Sequence, residues 1–411
     1  MRKILCIVSA LALMLALTAC GGSPNGSEEA APTEEKAAVC YVVGNTACSK
    51  GLNYESQLVE DNVYSTIRNY GYISVIRVDG APEVVFEKDY NIEERFKSAA
   101  KTRLDMDARK KTEKFQETLH TVVAEQDETD YLKALQLAVR TLSSLKRYDS
   151  KTIVVLGTGL STSGVFSFRN NLISAQPEDL VKMLKEREAL PDFSGMTVYW
   201  QNMGDVAAPQ EELSDAQLNR LKAIWQAIVE AGNGKFELDK SAPQKVDGSA
   251  DYPNVTPVEL PDDVPIVNED SSKDLLKTTY VLPENQVGFV EDEATYLHPE
   301  QVVKILQPIA EYVRDNRVQI LICGTIAGDT ETPQGLELSK QRALTVKKTL
   351  QELQVPENWM TTIGLGCHDP WHITGLAYEE PASVMNRKVV LLRAESDTAK
   401  EILRGQSKTK G

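Results

Sequence analysis

The chain reads as two folded regions of different class, an α/β domain over residues 39–236 and an α+β domain over 278–395. Three observations predict this. Across the first region, short apolar runs alternate with stretches whose apolar residues recur at helical spacing. The second region places two amphipathic helices among four short strands. Between them, residues 237–277 lose hydrophobicity and gain prolines and acids, centred on SAPQKVDGSADYPNVTPVELPDDVP. That stretch is either a linker or an extended segment packed on a neighbour.

In the first region, Ala38 to Val43 is an apolar run ending at Gly44-Asn45, which suits a buried strand entering a loop. Leu58, Val59, Val63 and Ile67 share helical spacing and predict a helix over 58–68. Tyr72 to Val78 and Glu83 to Phe86 flank Asp79-Gly80, a hairpin signal. A long charged helix is expected over 92–124. Over 131–145, Leu132, Leu135, Ala138, Val139 and Leu142 fall on one helical face. Lys151 to Leu156 (KTIVVL) is a buried strand that runs into the glycine-rich loop Gly157 to Gly164. Met196 to Gln201 is a further strand, and Leu213 to Ala231 is an amphipathic helix stopped by Gly232. This alternation calls for a mostly parallel, Rossmann-like sheet covered on both faces.

The order of these elements, with TDYLKALQLAVRTLSSL leading into KTIVVLGTG, resembles a von Willebrand factor A-type (vWA-like) domain. The resemblance implies a metal site made by an Asp-x-Ser-x-Ser loop and an Asp in a Thr-Asp-Gly turn. The matching positions are Gly44, Thr46 and Cys48, then Gly157-Thr158-Gly159, so both carboxylates are absent. A hard divalent cation needs anionic oxygens, so no metal is expected there. Loops at the carboxyl edge of the sheet remain as a docking place for an unidentified envelope protein. The loop from Gly157 to Gly164 lacks the Lys-Ser/Thr of a phosphate loop. Around Ser161 it also lacks the closing glycine of a nucleophile elbow, so a structural turn is expected.

In the second region, strands are expected at Val287 to Val290, Val318 to Cys323, Thr361 to Leu365 and Arg387 to Leu392. Pro299 to Asn316 is an amphipathic helix with Val302, Ile305, Leu306, Ile309 and Val313 inward. Gly335 to Leu353 is a second helix, ending before Val355-Pro356, and 396–411 is a polar, basic tail.

Gly324 is followed, at the right spacing, by Leu338-Ser339-Lys340-Gln341-Arg342-Ala343-Leu344-Thr345-Val346. Gly364-Leu365-Gly366 and Pro370 come next, and Asn386-Arg387-Lys388-Val389 opens the last strand. Over about 282–393 these residues resemble the OmpA-like domain of peptidoglycan-bound outer-membrane proteins, peptidoglycan-associated lipoproteins and motor stator proteins. The resemblance implies binding of the peptide stem of peptidoglycan, where an Asp and an Arg grip the zwitterionic end of diaminopimelate. A guanidinium pairs bidentately with a carboxylate, and a carboxylate receives the ammonium.

Arg342 is the matching carboxylate clamp, with pairing to Glu337 or another neighbour as its alternative role. The family's Asp is Ala327 here, its second glycine is Thr330, and its Tyr-Asn pair is Gln334-Gly335. Asp329, two residues further on, either replaces the lost anion or is a solvated loop residue. Asn386 and Arg387 either line the same pocket or simply start the strand.

At the N-terminus, Arg2 and Lys3 precede the apolar stretch Ile4 to Leu17, which ends at Leu17-Thr18-Ala19-Cys20. Positive, apolar and small-residue regions in that order form a secretory signal, here residues 1–19. The cysteine at the cut resembles the lipobox of bacterial lipoproteins, which implies diacylglycerol (palmitate-type acyl chains) on Cys20 and lipid anchoring to a membrane. Residues 20–38 read as a disordered tether rich in Glu, Pro, Ala and Ser. No later segment approaches the roughly 18 apolar residues of a membrane helix. Gly21 does not resemble an inner-membrane retention signal, so the expected site is the outer membrane, or the outer face of the cell membrane in a single-membrane envelope.

The chain carries a formal charge of −15, which becomes −17 when Arg2 and Lys3 leave. An acidic surface repels phosphate backbones, which argues against a nucleic-acid partner. Cys40, Cys48, Cys323 and Cys367 remain for an oxidising compartment, with three connectivities open. Cys323 ends one strand and Cys367 follows its neighbour, making them one candidate disulfide; Cys40 and Cys48 bracket the first loop and make another. No Cys/His spacing indicates a metal, and Pro370 denies His368, Asp369 and His372 a helical arrangement. No cofactor is called for.

These features together describe a cell-envelope lipoprotein tethering a membrane to peptidoglycan. An assembly lipoprotein that no longer binds the wall is the alternative. An envelope hydrolase has no Ser/His/Asp, Cys/His or paired-acid constellation behind it.

Overall fold

The structure, a computed structural model, describes residues 36–91, 93, 99–244, 252–260, 276 and 279–409. Cys20, the signal segment 1–19 and the tether up to residue 35 lie outside the described residues. Ala37 and Ala38, expected at the end of the tether, already belong to the first strand.

The first domain starts with β1 (Ala37–Val43), buried from its second residue onward. α1 (Gln57–Arg68) begins where the Ser56 hydroxyl accepts from the Val59 N–H. β2 (Tyr72–Arg77) and β3 (Glu83–Asp89) form the hairpin around Asp79-Gly80, and β3 is a half-exposed edge. Then follow α2 (Lys101–His120), α3 (Tyr131–Ser144), β4 (Ser150–Leu156), α4 (Pro177–Glu186), β5 (Met196–Gln201), α5 (Asp215–Ala231) and β6 (Lys235–Leu238). The strand order is β3-β2-β1-β4-β5-β6, parallel except for the β2–β3 pair.

Alternate residues of β1 serve opposite cores, as the two-residue period of a strand requires. Ala38, Cys40 and Val42 pack with Leu135 of α3 and Trp225 of α5. Val39, Tyr41 and Val43 pack with Val63 of α1 and Phe115 of α2.

The second domain comprises β7 (Tyr280–Pro283), α6 (Pro299–Asn316), β8 (Ile320–Gly324), α7 (Pro333–Glu352), β9 (Met360–Gly364), β10 (Lys388–Arg393) and α8 (Asp397–Thr409). Its sheet runs β7-β10-β8-β9, with β8 and β9 parallel and the other neighbours antiparallel. Leu306, Ile309 and Val313 of α6 and Val346 of α7 cover one face. On the other face, Trp371 and Ala399 pack on Leu321, Cys323, Val390 and Leu392.

The chain is thus a parallel-rich α/β domain followed by an α+β domain, with several local departures from expectation. The first strand of the second domain is Tyr280–Pro283, not 287–290, where Phe289 makes only an isolated bridge to Tyr296. Its four residues hydrogen-bond to β10, a long-range partner that local patterning cannot reveal. The polar tail forms α8, because its buried Ala399 gives the helix a face to pack. α4 was not foreseen, although Pro177 at its first turn and Leu180, Met183 and Leu184 on one face specify it. α2 starts at Lys101, while residues 92 and 94–98 of the expected helix lie outside the described residues, and β6 extends into the expected linker.

Within that linker, residues 252–260 pack against the first domain. Val255 and Val258 are buried, Asn254 accepts from the Glu128 N–H at 2.9 Å, and Val258 donates to Gln210 at 2.7 Å.

The two domains share buried surface. Ile373, Leu376, Ala382 and Met385, from the connection between β9 and β10, join the core that contains Phe166, Phe168 and Leu180. Asn171 donates to the His372 carbonyl at 2.8 Å, and the Thr374 N–H to the Asn170 carbonyl at 3.2 Å. Arg187 of the first domain also pairs with Glu380 of the second.

Candidate functional site

α7 begins at Pro333 because the Thr332 hydroxyl caps it, accepting from the Gly335 N–H at 3.0 Å. Gln334, Leu338 and Arg342 then repeat every four residues and present one face. That face forms a wall of a cleft of about 840 Å³. Ile326, Ala327 and Gly328 of the loop after β8 line it, as do Phe289, Glu291, Asp292 and Leu297 from the stretch between β7 and α6. Leu297 and Tyr378 also line it while 52% and 55% exposed, apolar surface of the kind a ligand covers.

Arg342 is mostly buried. Its Nε donates to the Glu293 carbonyl at 3.0 Å, and its guanidinium lies 5.2 Å from the centre of the Phe289 ring. Among the described residues no carboxylate pairs with it, and Glu337 instead bonds Lys340 and Gln341 along the helix. Burial pulls its pKa down from the usual arginine value; Glu284 and Asp292 oppose that and Arg387 adds to it. An arginine remains charged regardless. A cation in place, with its planar donors facing a cleft, can accept a carboxylate bidentately.

The other residues singled out from the sequence take varied places. Arg387 does line the cleft, but its Nε donates to Glu284 at 2.7 Å. Asp329 is turned away: one oxygen lies 2.8 Å from His372 Nε2 and the other accepts from the Gly375 N–H at 3.1 Å. It lines an adjoining hollow with Gly328, Thr330 and Tyr378 and is not among the residues that line the Arg342 cleft.

Asn386 is fully buried and bonds both the N–H and the carbonyl of Ile373, at 2.7 and 2.8 Å. It clamps a loop rather than facing a ligand. Gly324 sits behind the cleft, where a Cβ would come within 1.9 Å of the Ser339 carbonyl, so only glycine lets β8 approach α7 this closely.

All four cysteines among the described residues are free, so neither candidate disulfide is formed. Cys323 points into the core beside Trp371, whereas the Cys367 thiol turns to Glu331 at 3.4 Å. Cys40 faces the α3 side of the first sheet, and the Cys48 thiol contacts the Val255 carbonyl at 3.7 Å. Ser161, in the glycine-rich loop, is buried and accepts from the Tyr131 N–H at 3.0 Å, a turn-stabilising role.

Pattern reading missed the acidic wall of the cleft. Glu291 and Asp292 belong to a run of three acids just before α6, and Glu284 follows β7. The acid run was the available signal, but nothing local says that it faces Arg342. A buried charge network was also missed. Lys388 Nζ lies 3.4 Å from Asp369, whose second oxygen is 3.3 Å from His372 Nδ1. Burial pushes the Asp369 pKa up, but Lys388 and His372 outweigh it and hold the carboxyl below its usual range.

Residues 291–380 match the OmpA family, and no curated protein matches the chain. Among solved structures, the OmpA-like domain of FopA1 from Francisella tularensis subsp. tularensis SCHU S4 is 15% identical. That match covers 33% of this chain and 93% of that one, with a TM-score of 0.23. A periplasmic domain of Helicobacter pylori MotB is 17% identical over 33% and 94%, with a TM-score of 0.24. The peptidoglycan-associated lipoprotein from Burkholderia pseudomallei is 27% identical over 26% and 86%, with a TM-score of 0.23. The second half of this chain carries an OmpA-like domain.

Proposed function

We propose that this protein is a cell-envelope lipoprotein that ties a membrane to peptidoglycan. Cys20 carries the lipid, and the cleft of the OmpA-like domain holds a peptide stem ending in diaminopimelate. One observation carries the reading: the Arg342 guanidinium fronts a large cleft without a carboxylate partner among the described residues. Its free donors take the stem carboxylate, while Glu291 and Asp292 give the ammonium an acidic wall in place of the absent Asp.

The first domain acts as a metal-free vWA-type interaction module. Its strand order and antiparallel edge support this, as does the lack of carboxylates at Gly44, Thr46 and Cys48. Its partner is another envelope protein, and no catalytic role is assigned. The expected location is extracytoplasmic, at the outer membrane or on the outer face of the cell membrane.

The test is co-sedimentation of the purified protein with peptidoglycan. Retention by the wild type that disappears in Arg342→Ala supports tethering. No wild-type retention at low salt favours the second reading, an assembly lipoprotein that has lost wall binding. Ala327, and the Glu284 carboxylate that neutralises Arg387, favour that second reading.

A further inference from the structure

Glu331, Cys367 and His368 converge on one point at the edge of the OmpA-like domain, although 36 residues of chain separate the first two. The Cys367 sulfur lies 3.4 Å from Glu331 Oε2, His368 Nδ1 lies 3.1 Å from the same oxygen, and sulfur and nitrogen are 3.8 Å apart. A tetrahedral zinc ion with bonds of about 2.0–2.3 Å separates its ligand atoms by roughly 3.3–3.6 Å. The three observed edges bracket that range, so an ion fits with small side-chain adjustments.

Two features show that the place is built. The Cys367 N–H donates to Glu331 Oε2 at 3.2 Å, while Oε1 of the same carboxylate is buried without a hydrogen-bond partner among the described residues. Gly366, at φ +56°, carries no Cβ; one would come within 2.2 Å of Glu331 Oε2, so the glycine lets the carboxylate seat against the turn. His368 has 74% of its side chain exposed, which leaves the fourth position open to water.

We infer that Glu331, Cys367 and His368 form a zinc-binding site, with solvent as the fourth ligand. The donor set selects the ion. A thiolate and an imidazole favour a borderline-soft metal such as zinc over magnesium or calcium. The thiolate and the carboxylate together neutralise the dication, and the thiol releases one proton as the bond to zinc forms. Before that, burial and the adjacent Glu331 carboxylate push the thiol pKa up to about 11, so zinc must displace its proton.

Glu331 stands between Thr330 and Thr332, both of which line the cleft. The ion would therefore fasten the cleft loop to the turn after β9, where the expected disulfide is not formed. The site stands independently of wall binding.

The test uses the full chain, reduced and stripped of metal, titrated with Zn²⁺ by calorimetry and with Co²⁺ as a spectroscopic probe. One equivalent of Co²⁺ should produce a thiolate-to-metal charge-transfer band. The band should vanish in Cys367→Ser and persist in Cys48→Ser. Zn²⁺ affinity should fall at least about tenfold in His368→Ala, whose exposed side chain can be removed without unfolding the chain. Absence of a stoichiometric band, or a band that survives Cys367→Ser with affinity unchanged in His368→Ala, overturns the site.

Discussion

Arg387 donates to Glu284 at 2.7 Å on the rim of the cleft that Arg342 enters without an acidic partner among the described residues. Two guanidiniums therefore face one space with different duties. The Arg387 charge is already balanced, and the ion pair holds the end of β7 beside the start of β10. Arg342 is braced through a carbonyl and an aromatic ring, which fix its position without consuming its charge.

Arg342→Ala should weaken peptidoglycan retention roughly 10- to 100-fold, the value of a lost charge-assisted hydrogen-bond pair. Arg342→Lys should recover only part of it, because an ammonium lacks the planar fork. Sedimentation of both variants at one salt concentration gives the comparison, and equal retention by Lys and Ala would argue against bidentate recognition.

Ala327→Asp restores an anion at the rear of the cleft. If the ligand is a zwitterion, retention should rise about tenfold, the order of one charge-assisted bond. An unchanged or weaker interaction would mean that Glu291 and Asp292 already serve the ammonium, or that the ligand carries none. Titration with a diaminopimelate-containing tripeptide separates these outcomes.

Lys388→Met removes the ammonium beside the buried Asp369 carboxylate and leaves it only His372 and the Trp371 N–H, which should cost about 3 kcal/mol at neutral pH. The double variant Asp369→Leu/Lys388→Met should recover much of that loss. The Asp369 carboxyl is held below its unfolded value, so its contribution is fully present above about pH 4. As pH falls through the lower folded value, the proton is taken up and the contribution is lost. Urea unfolding at several pH values should therefore show the penalty of Lys388→Met shrinking in acid.

Asn386→Ala leaves the Ile373 N–H and carbonyl unpaired in a buried place, costing about 2 kcal/mol or more. Peptidoglycan retention well below the melting temperature should stay at the wild-type level, since Asn386 lies behind the cleft. Loss of retention in a folded Asn386→Ala protein would place it in the binding surface instead.

Ile373→Asp puts an unpaired carboxylate into the core shared by the two domains. Calorimetry should then resolve two unfolding transitions, against a single one expected of the wild type. A single transition at an unchanged temperature would mean that the shared core contributes little coupling.

Much of this organisation is legible in one dimension, because helices and strands announce themselves by the spacing of apolar residues within a dozen positions. The buried β1 run, the Asp79-Gly80 hairpin and the α7 stripe carrying Arg342 are of that kind. So is the order of elements that separates a parallel α/β sheet from an α+β sandwich. What the spacing does not encode is which distant groups meet. Glu284 reaches Arg387 across 103 residues, and Asp329 reaches His372 across 43. Cys367 turns to Glu331 instead of Cys323. Such pairings depend on where the folded chain returns and which side chains it removes from water, and a linear pattern holds no record of either.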